Sequence, residues 1–184
     1  MQTGAIGCFG LHFFKGASMP RTIIIGYGNI DRSDDGAAYT IINLVRKELG
    51  QTILEEGDTG LERLEGETDS VFLLQLVPEI MDWLRDYDQI IFVDAHTGPD
   101  LEDLNCSKVV PEYVTSTFTH HMTPAALLAF LKAIYHHEPV AYLVSVRGHD
   151  FDFKRSFSPE TQLMLIPAKD KILQLLKMTV SVSS

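Results

Sequence analysis

The sequence predicts an α/β protein, a three-layer α/β/α sandwich around a mostly parallel, twisted sheet of about five strands. Two observations carry that expectation. Short apolar runs such as TIIIG (22–26), QIIFVD (89–94) and VAYLVSV (140–146) read as strands buried on both faces. They alternate with stretches whose apolar residues recur at helical spacing, the pattern of parallel strands joined by helices.

The elements follow in order. After the strand at 22–26 and the loop YGNIDRS, residues 34–49 form a helix, with Ala37, Ala38, Ile41, Ile42, Val45 and Leu49 on one side. Ser33 or Asp34 is a candidate N-cap, and Gly50 a stop. Residues 51–55 are expected as a second strand, followed by a polar loop and a helix over about 71–85. The strand at 89–94 runs into a small-residue turn at 95–99, and 107–110 is expected to add an edge strand. Pro124 starts a helix with Leu127, Leu128, Leu131 and Ile134 on one face. After the strand at 140–146, Ser158-Pro159-Glu160 opens a last helix, in which Pro167 predicts a kink.

Residues 1–18 lack the strand–helix pattern and are expected to be a tail or an upstream start before Met19, with one domain over 19–184. They lack the positive opening of a secretory signal. The net charge of −10, from 15 Lys+Arg against 25 Asp+Glu, argues against nucleic-acid or anionic-lipid partners, which need a basic face. No apolar run reaches the roughly 20 residues that span a bilayer. With only Cys8 and Cys106, a disulfide framework is not expected and a reducing cytoplasm is the expected location.

In open α/β sheets the functional crevice lies beyond the carboxyl ends of the strands. Asp35 follows the first strand, Asp94 ends a later one, and His120 precedes the helix that enters the last strand, so all three converge on one edge. Each has a plainer explanation. Acidic residues in a first helical turn complement the helix dipole, which accounts for one of Asp34 and Asp35. Asp94 ends an apolar strand, where a carboxylate needs a pair, a cap or a cation. His96 lies close enough to share the site or to be a loop histidine. His120 and His121 are adjacent, so one of them serves the site; His136 and His137 read as dipole partners at a helix end. Two carboxylates and an imidazole suit nickel, zinc or a similar divalent ion.

The turn Gly26-Tyr27-Gly28-Asn29 lacks the third glycine of a dinucleotide fingerprint, which falls on Asp31, and Asp34 and Asp35 would repel a pyrophosphate. There is no G-x-S-x-G elbow and no H-E-x-x-H helix, and Cys106 has no recognisable catalytic neighbourhood.

Ile25-Gly26-Tyr27-Gly28-Asn29 followed by Asp34-Asp35-Gly36-Ala37 resembles the opening of the hydrogenase maturation endopeptidases, G-x-G-N-…-D-[DE]-G-x-G. Residues 90–95 (IIFVDA) resemble their strand ending in Asp-Ala, Thr119-His120 a Ser/Thr-rich turn ending in His, and Phe157-Ser158-Pro159 a late helix start. Counting back from Leu127-Leu128 selects His120 over His121. The resemblance implies an aspartyl-type endopeptidase that removes the C-terminal extension of a nickel–iron hydrogenase large-subunit precursor after nickel insertion. It implies Asp35, Asp94 and His120 as the catalytic and metal-reading residues, with the nickel supplied by the precursor. The alternative is a metal- or partner-binding module without proteolysis. The chain departs from the pattern in a longer segment at 61–75, in Ala38, and in Arg147-Gly148-His149-Asp150-Phe151.

Overall fold

The computed structural model describes residues 20–113 and 122–182. A five-stranded sheet runs in the order β2-β1-β3-β5-β4. β1 (Thr22–Tyr27), β2 (Thr68–Leu73), β3 (Gln89–His96) and β5 (Val140–Arg147) are parallel, while β4 (Leu104–Lys108) pairs antiparallel with β5. Helices cover both faces, so the α/β/α sandwich with a mostly parallel sheet is what the chain forms. α1 (Ala37–Glu48) and α4 (Pro159–Val182) pack over Ile24, Ile91, Val93, Val144 and Val146. α2 (Met81–Leu84) and α3 (Pro124–Tyr135) cover the other face, over Ile23, Ile25, Ile90 and Phe92. The two clusters use alternate residues of the same strands, as the two-residue period of a strand requires.

Helix entry follows local chemistry. Pro124 opens α3, and the Thr123 hydroxyl accepts from the Ala126 amide at 3.2 Å. The first helix begins differently from the capped start expected at Ser33 or Asp34: a 3₁₀ turn over Ser33–Gly36 precedes α1, and neither residue caps it.

Three expectations are corrected. Residues 51–55 form no strand and do not join the sheet. The Asn43 amide oxygen accepts from Leu54 N at 2.7 Å, and Tyr39 and Asn43 donate to Leu54 O, so side chains of α1 replace a strand partner. The second strand is β2 instead, and it takes Val71–Leu73 from the expected helix at 71–85, of which α2 and a 3₁₀ turn at Pro78–Ile80 remain. Short apolar runs do not distinguish strand from helix by periodicity, and here the sheet edge decides. The edge strand lies at Leu104–Lys108 rather than 107–110. Pro167 sits within α4.

The order places β1 between β2 and β3. The chain leaves β1 for β2 on one side and returns to β3 on the other, so the loops after β1 and β3 diverge. That divergence opens a crevice at their carboxyl ends.

Candidate active site

The crevice is built first by the turn after β1. Gly28 has φ +142°, and a Cβ there would stand 2.1 Å from the Asp35 carbonyl oxygen. Only glycine lets the turn lie against the 3₁₀ turn that carries Asp35. The Asn29 amide then donates to Asp35 Oδ2 at 2.9 Å, and the Asn29 side-chain oxygen accepts from Asp31 N at 2.9 Å. These contacts hold Asp35 in the wall of a cleft of about 410 Å³.

Asp94 comes from the adjacent strand. Gly26 pairs with Val93, so Tyr27 and Asp94 sit side by side at the strand ends. Asp94 Oδ1 accepts from Ala95 N at 2.8 Å, and the Tyr27 hydroxyl lies against the same carboxylate. Burial raises the Asp94 carboxyl to about 7; the negative charge of Asp35 adds to the rise, and the hydrogen bonds from Tyr27 and Ala95 oppose it only in part. Tyr27 is itself pushed up, by burial and then by Asp94. Two acids therefore face one cleft, one of them short of donors. Such a pair favours arrival of a cation, and a carboxyl titrating near neutrality can hold or release a proton at working pH.

Asp34, next door, is a different group. It is fully buried and accepts four hydrogen bonds: from His149 N (2.8 Å), Asp150 N (2.9 Å), Ser158 N (2.8 Å) and Ser158 Oγ (2.7 Å). Burial pushes its pKa up, but these donors outweigh burial and hold it below the usual carboxylate value. Ser33 N donates to Lys154 O at 2.7 Å and Asp34 N to Asp150 O at 3.0 Å. The turn after β1 and the loop after β5 are thereby stapled together. The sequence offered helix-dipole compensation for this residue; its actual task is to fix the loop.

Of the three predicted site residues, Asp35 and Asp94 share the cleft, and His120, like His121, lies outside the described residues. Among the described residues no group of three or more His, Cys, Asp or Glu side chains is arranged to hold a metal ion. His96 ends β3 but does not line the cleft, and burial, with Arg147 beside it, favours its neutral ring. His136 adopts the left-handed conformation that ends α3, and a ring nitrogen of His137 lies 2.7 Å from Tyr87 O. Cys106 sits on β4, where burial raises its thiol, so it is poorly prepared as a nucleophile. Sequence reasoning missed Tyr27, Arg32 and Met122, which also line the cleft. Only Tyr27 carried a signal, as the middle residue of the glycine turn.

Solved structures share this fold. The hydrogenase maturating endopeptidase HybD from E. coli superposes with a TM-score of 0.64 at 19% identity, covering 86% of this chain and 93% of that one. The [NiFe] hydrogenase maturation protease HycI from Thermococcus kodakarensis gives 0.61 at 17% identity, covering 88% and 95%. The chain has the fold of the hydrogenase maturation endopeptidases. A hydrogenase 2 maturation peptidase from a Thaumarchaeota archaeon agrees, with a TM-score of 0.55, 20% identity, and coverage of 85% and 97%. No protein-family model and no curated protein matches the sequence. The likeness extends over nearly the whole length of each of these endopeptidases.

Proposed function

We propose that the chain is a processing endopeptidase that removes the C-terminal extension of a nickel–iron hydrogenase large-subunit precursor once nickel has been inserted. The observation that carries this reading is the meeting of Asp35 and Asp94 in one cleft at the divergence of β1 and β3. The fold shared with maturation endopeptidases supports it. In the proposed chemistry the nickel belongs to the substrate. Asp35 and Asp94 supply oxygen donors and His120 an imidazole, too few ligands to hold a free ion tightly but enough to complete the coordination of one already held by the precursor. The ion supplies Lewis acidity toward the adjacent peptide carbonyl. The chain's residues orient that carbonyl, and either Asp35 or Asp94 takes the proton from the attacking water.

The test mixes the full chain with nickel-loaded precursor and measures the precursor's mass. Loss of a short C-terminal peptide is expected, and nickel-free precursor should keep its mass. Asp35→Asn, Asp94→Asn and His120→Ala should each nearly abolish trimming, and combining them should add little, because groups acting as a unit are non-additive. Equal trimming with and without nickel would reject recognition through the metal. Tight binding of the precursor without any mass change would favour a binding module.

A further inference from the structure

We propose that Arg32 orients the substrate peptide by donating to one of its oxygen acceptors, a role that rests on the processing-peptidase reading of the same cleft. Arg32 is the one cationic side chain among the described residues that line the cleft with Asp35 and Asp94. The chain has an excess of acids, 25 Asp+Glu against 15 Lys+Arg, and Arg32 is flanked in sequence by Asp31, Asp34 and Asp35. Even so, it forms no ion pair among the described residues, whereas Arg155 pairs with both Asp31 and Glu56, and Arg147 with Asp103.

The guanidinium is held by other means. Arg32 Nε donates to Phe151 O at 3.4 Å, and the guanidinium carbon stands 5.6 Å from the centre of the Phe153 ring. A cation over a ring face is attracted by its quadrupole. The platform is firm because Asp34 and Ser33 staple the loop after β5 to the turn that carries Arg32. The two terminal nitrogens have no hydrogen-bond partner among the described residues, so the donor edge of the fork is available while its stem is fixed. Phe153 is 85% exposed beside it, and Leu74, another cleft residue, is 68% exposed. A peptide seated in the cleft finds carboxylates for a cation, a guanidinium for an oxygen, and apolar surface at Leu74. The loop that carries Phe151 and Phe153 begins in a stretch, Arg147 to Phe151, where the sequence departs from the family pattern.

The acceptor is an oxygen, from a peptide carboxylate or a backbone carbonyl. Initial rates of trimming of nickel-loaded precursor separate the possibilities, using the full chain and its Arg32→Ala, Arg32→Lys and Phe153→Ala variants. Arg32→Ala should raise KM about 10-fold or more with kcat within about twofold, the signature of lost uniform binding. Arg32→Lys should recover only part of the loss, because lysine neither forks nor stacks in the same way. Phe153→Ala should shift KM in the same direction by about two- to fivefold, on the order of a weakened cation–π contact, and keeps the test open if the arginine variants fold poorly. Salt distinguishes the acceptors: a carboxylate makes the KM of the parent respond to ionic strength differently from that of Arg32→Ala, so that the ratio of the variant's KM to the parent's falls as salt rises, while a carbonyl leaves that ratio nearly constant. An unchanged KM in Arg32→Ala, alongside normal trimming by the parent, overturns the inference and leaves the proposed function standing. A fall in kcat alone overturns it too, by placing Arg32 in the chemical step. A parent chain that trims nothing overturns both.

Discussion

Asp34 and Asp94 are the same functional group at the same edge of one sheet, and their surroundings pull them in opposite directions. Asp34 has no exposed surface, yet four donors converge on it and its pKa falls. Asp94 is also largely withdrawn from water, but it has one backbone donor and the Tyr27 hydroxyl, and its pKa rises to about 7. Burial alone does not decide what a carboxylate does; the count of donors aimed at it does. A fully satisfied carboxylate is a structural clamp. An under-satisfied one beside a second acid is the group with something left to bind.

The sharpest way to break this contrast is activity. Asp94→Asn should reduce trimming of nickel-loaded precursor by about 10³-fold or more while the protein stays folded, as removal of a residue acting in the reaction does. Retained trimming, followed by mass spectrometry, would demote Asp94 to a strand-end cap.

Next in size is the clamp. Asp34→Ala leaves the amides of His149, Asp150 and Ser158 without their acceptor. Each orphaned buried donor costs about 1–3 kcal/mol, so a loss of about 3–5 kcal/mol in urea unfolding is expected near pH 7. The depressed pKa fixes the sign with pH. Stability from ionised Asp34 is present above the unfolded value of 3.8 and is lost as pH falls through the lower folded value. The gap between parent and variant should therefore close in acid.

Asp94 should show the opposite sign. Its folded pKa lies above its ordinary 3.8, so folding favours the protonated form. This contribution is fully present below 3.8 and is lost as pH rises through about 7. Asp94→Asn should then stabilise the protein at pH 8 by on the order of 1–3 kcal/mol, less than the roughly 1.4 kcal/mol per pKa unit would give, because an amide must still be buried. The gain should fade by pH 4. Trimming by the parent should rise with pH around 7 if the ionised carboxylate is the working form.

The strands at β1, β3 and β5 were legible because apolar β-branched runs that must be buried on both faces leave an unmistakable pattern. The segment from Gln51 to Leu73 was not, because its outcome depends on partners remote in sequence. Leu54 looked like part of a strand until Asn43 and Tyr39 took its backbone groups, and Val71–Leu73 looked helical until the edge of β1 recruited it. The same division holds at the site. Asp35 and Asp94 were readable from their positions after strands. The role of Asp34 was hidden, since its donors lie more than 110 residues away at His149, Asp150 and Ser158.

The smallest expected effect separates the two adjacent aspartates. Asp35 receives one amide hydrogen bond, from Asn29 N at 2.9 Å, and it lies in the wall of an open cleft. Asparagine keeps an oxygen that can accept that bond, so Asp35→Asn should change stability by no more than about 0.5 kcal/mol. Asp34→Asn has only one oxygen where four donors meet on two, and its amide nitrogen would face a donor. It should cost about 2 kcal/mol or more, since at least one donor is left unpaired. Parallel urea titrations of the two variants decide the matter. Equal costs would mean that the cleft carboxylate is as structurally committed as the clamp, and the distinction between a satisfied acid and a poised one would not hold for Asp35. A neutral Asp35→Asn that has also lost trimming would place the two neighbours on opposite sides of the line between holding the fold and using it.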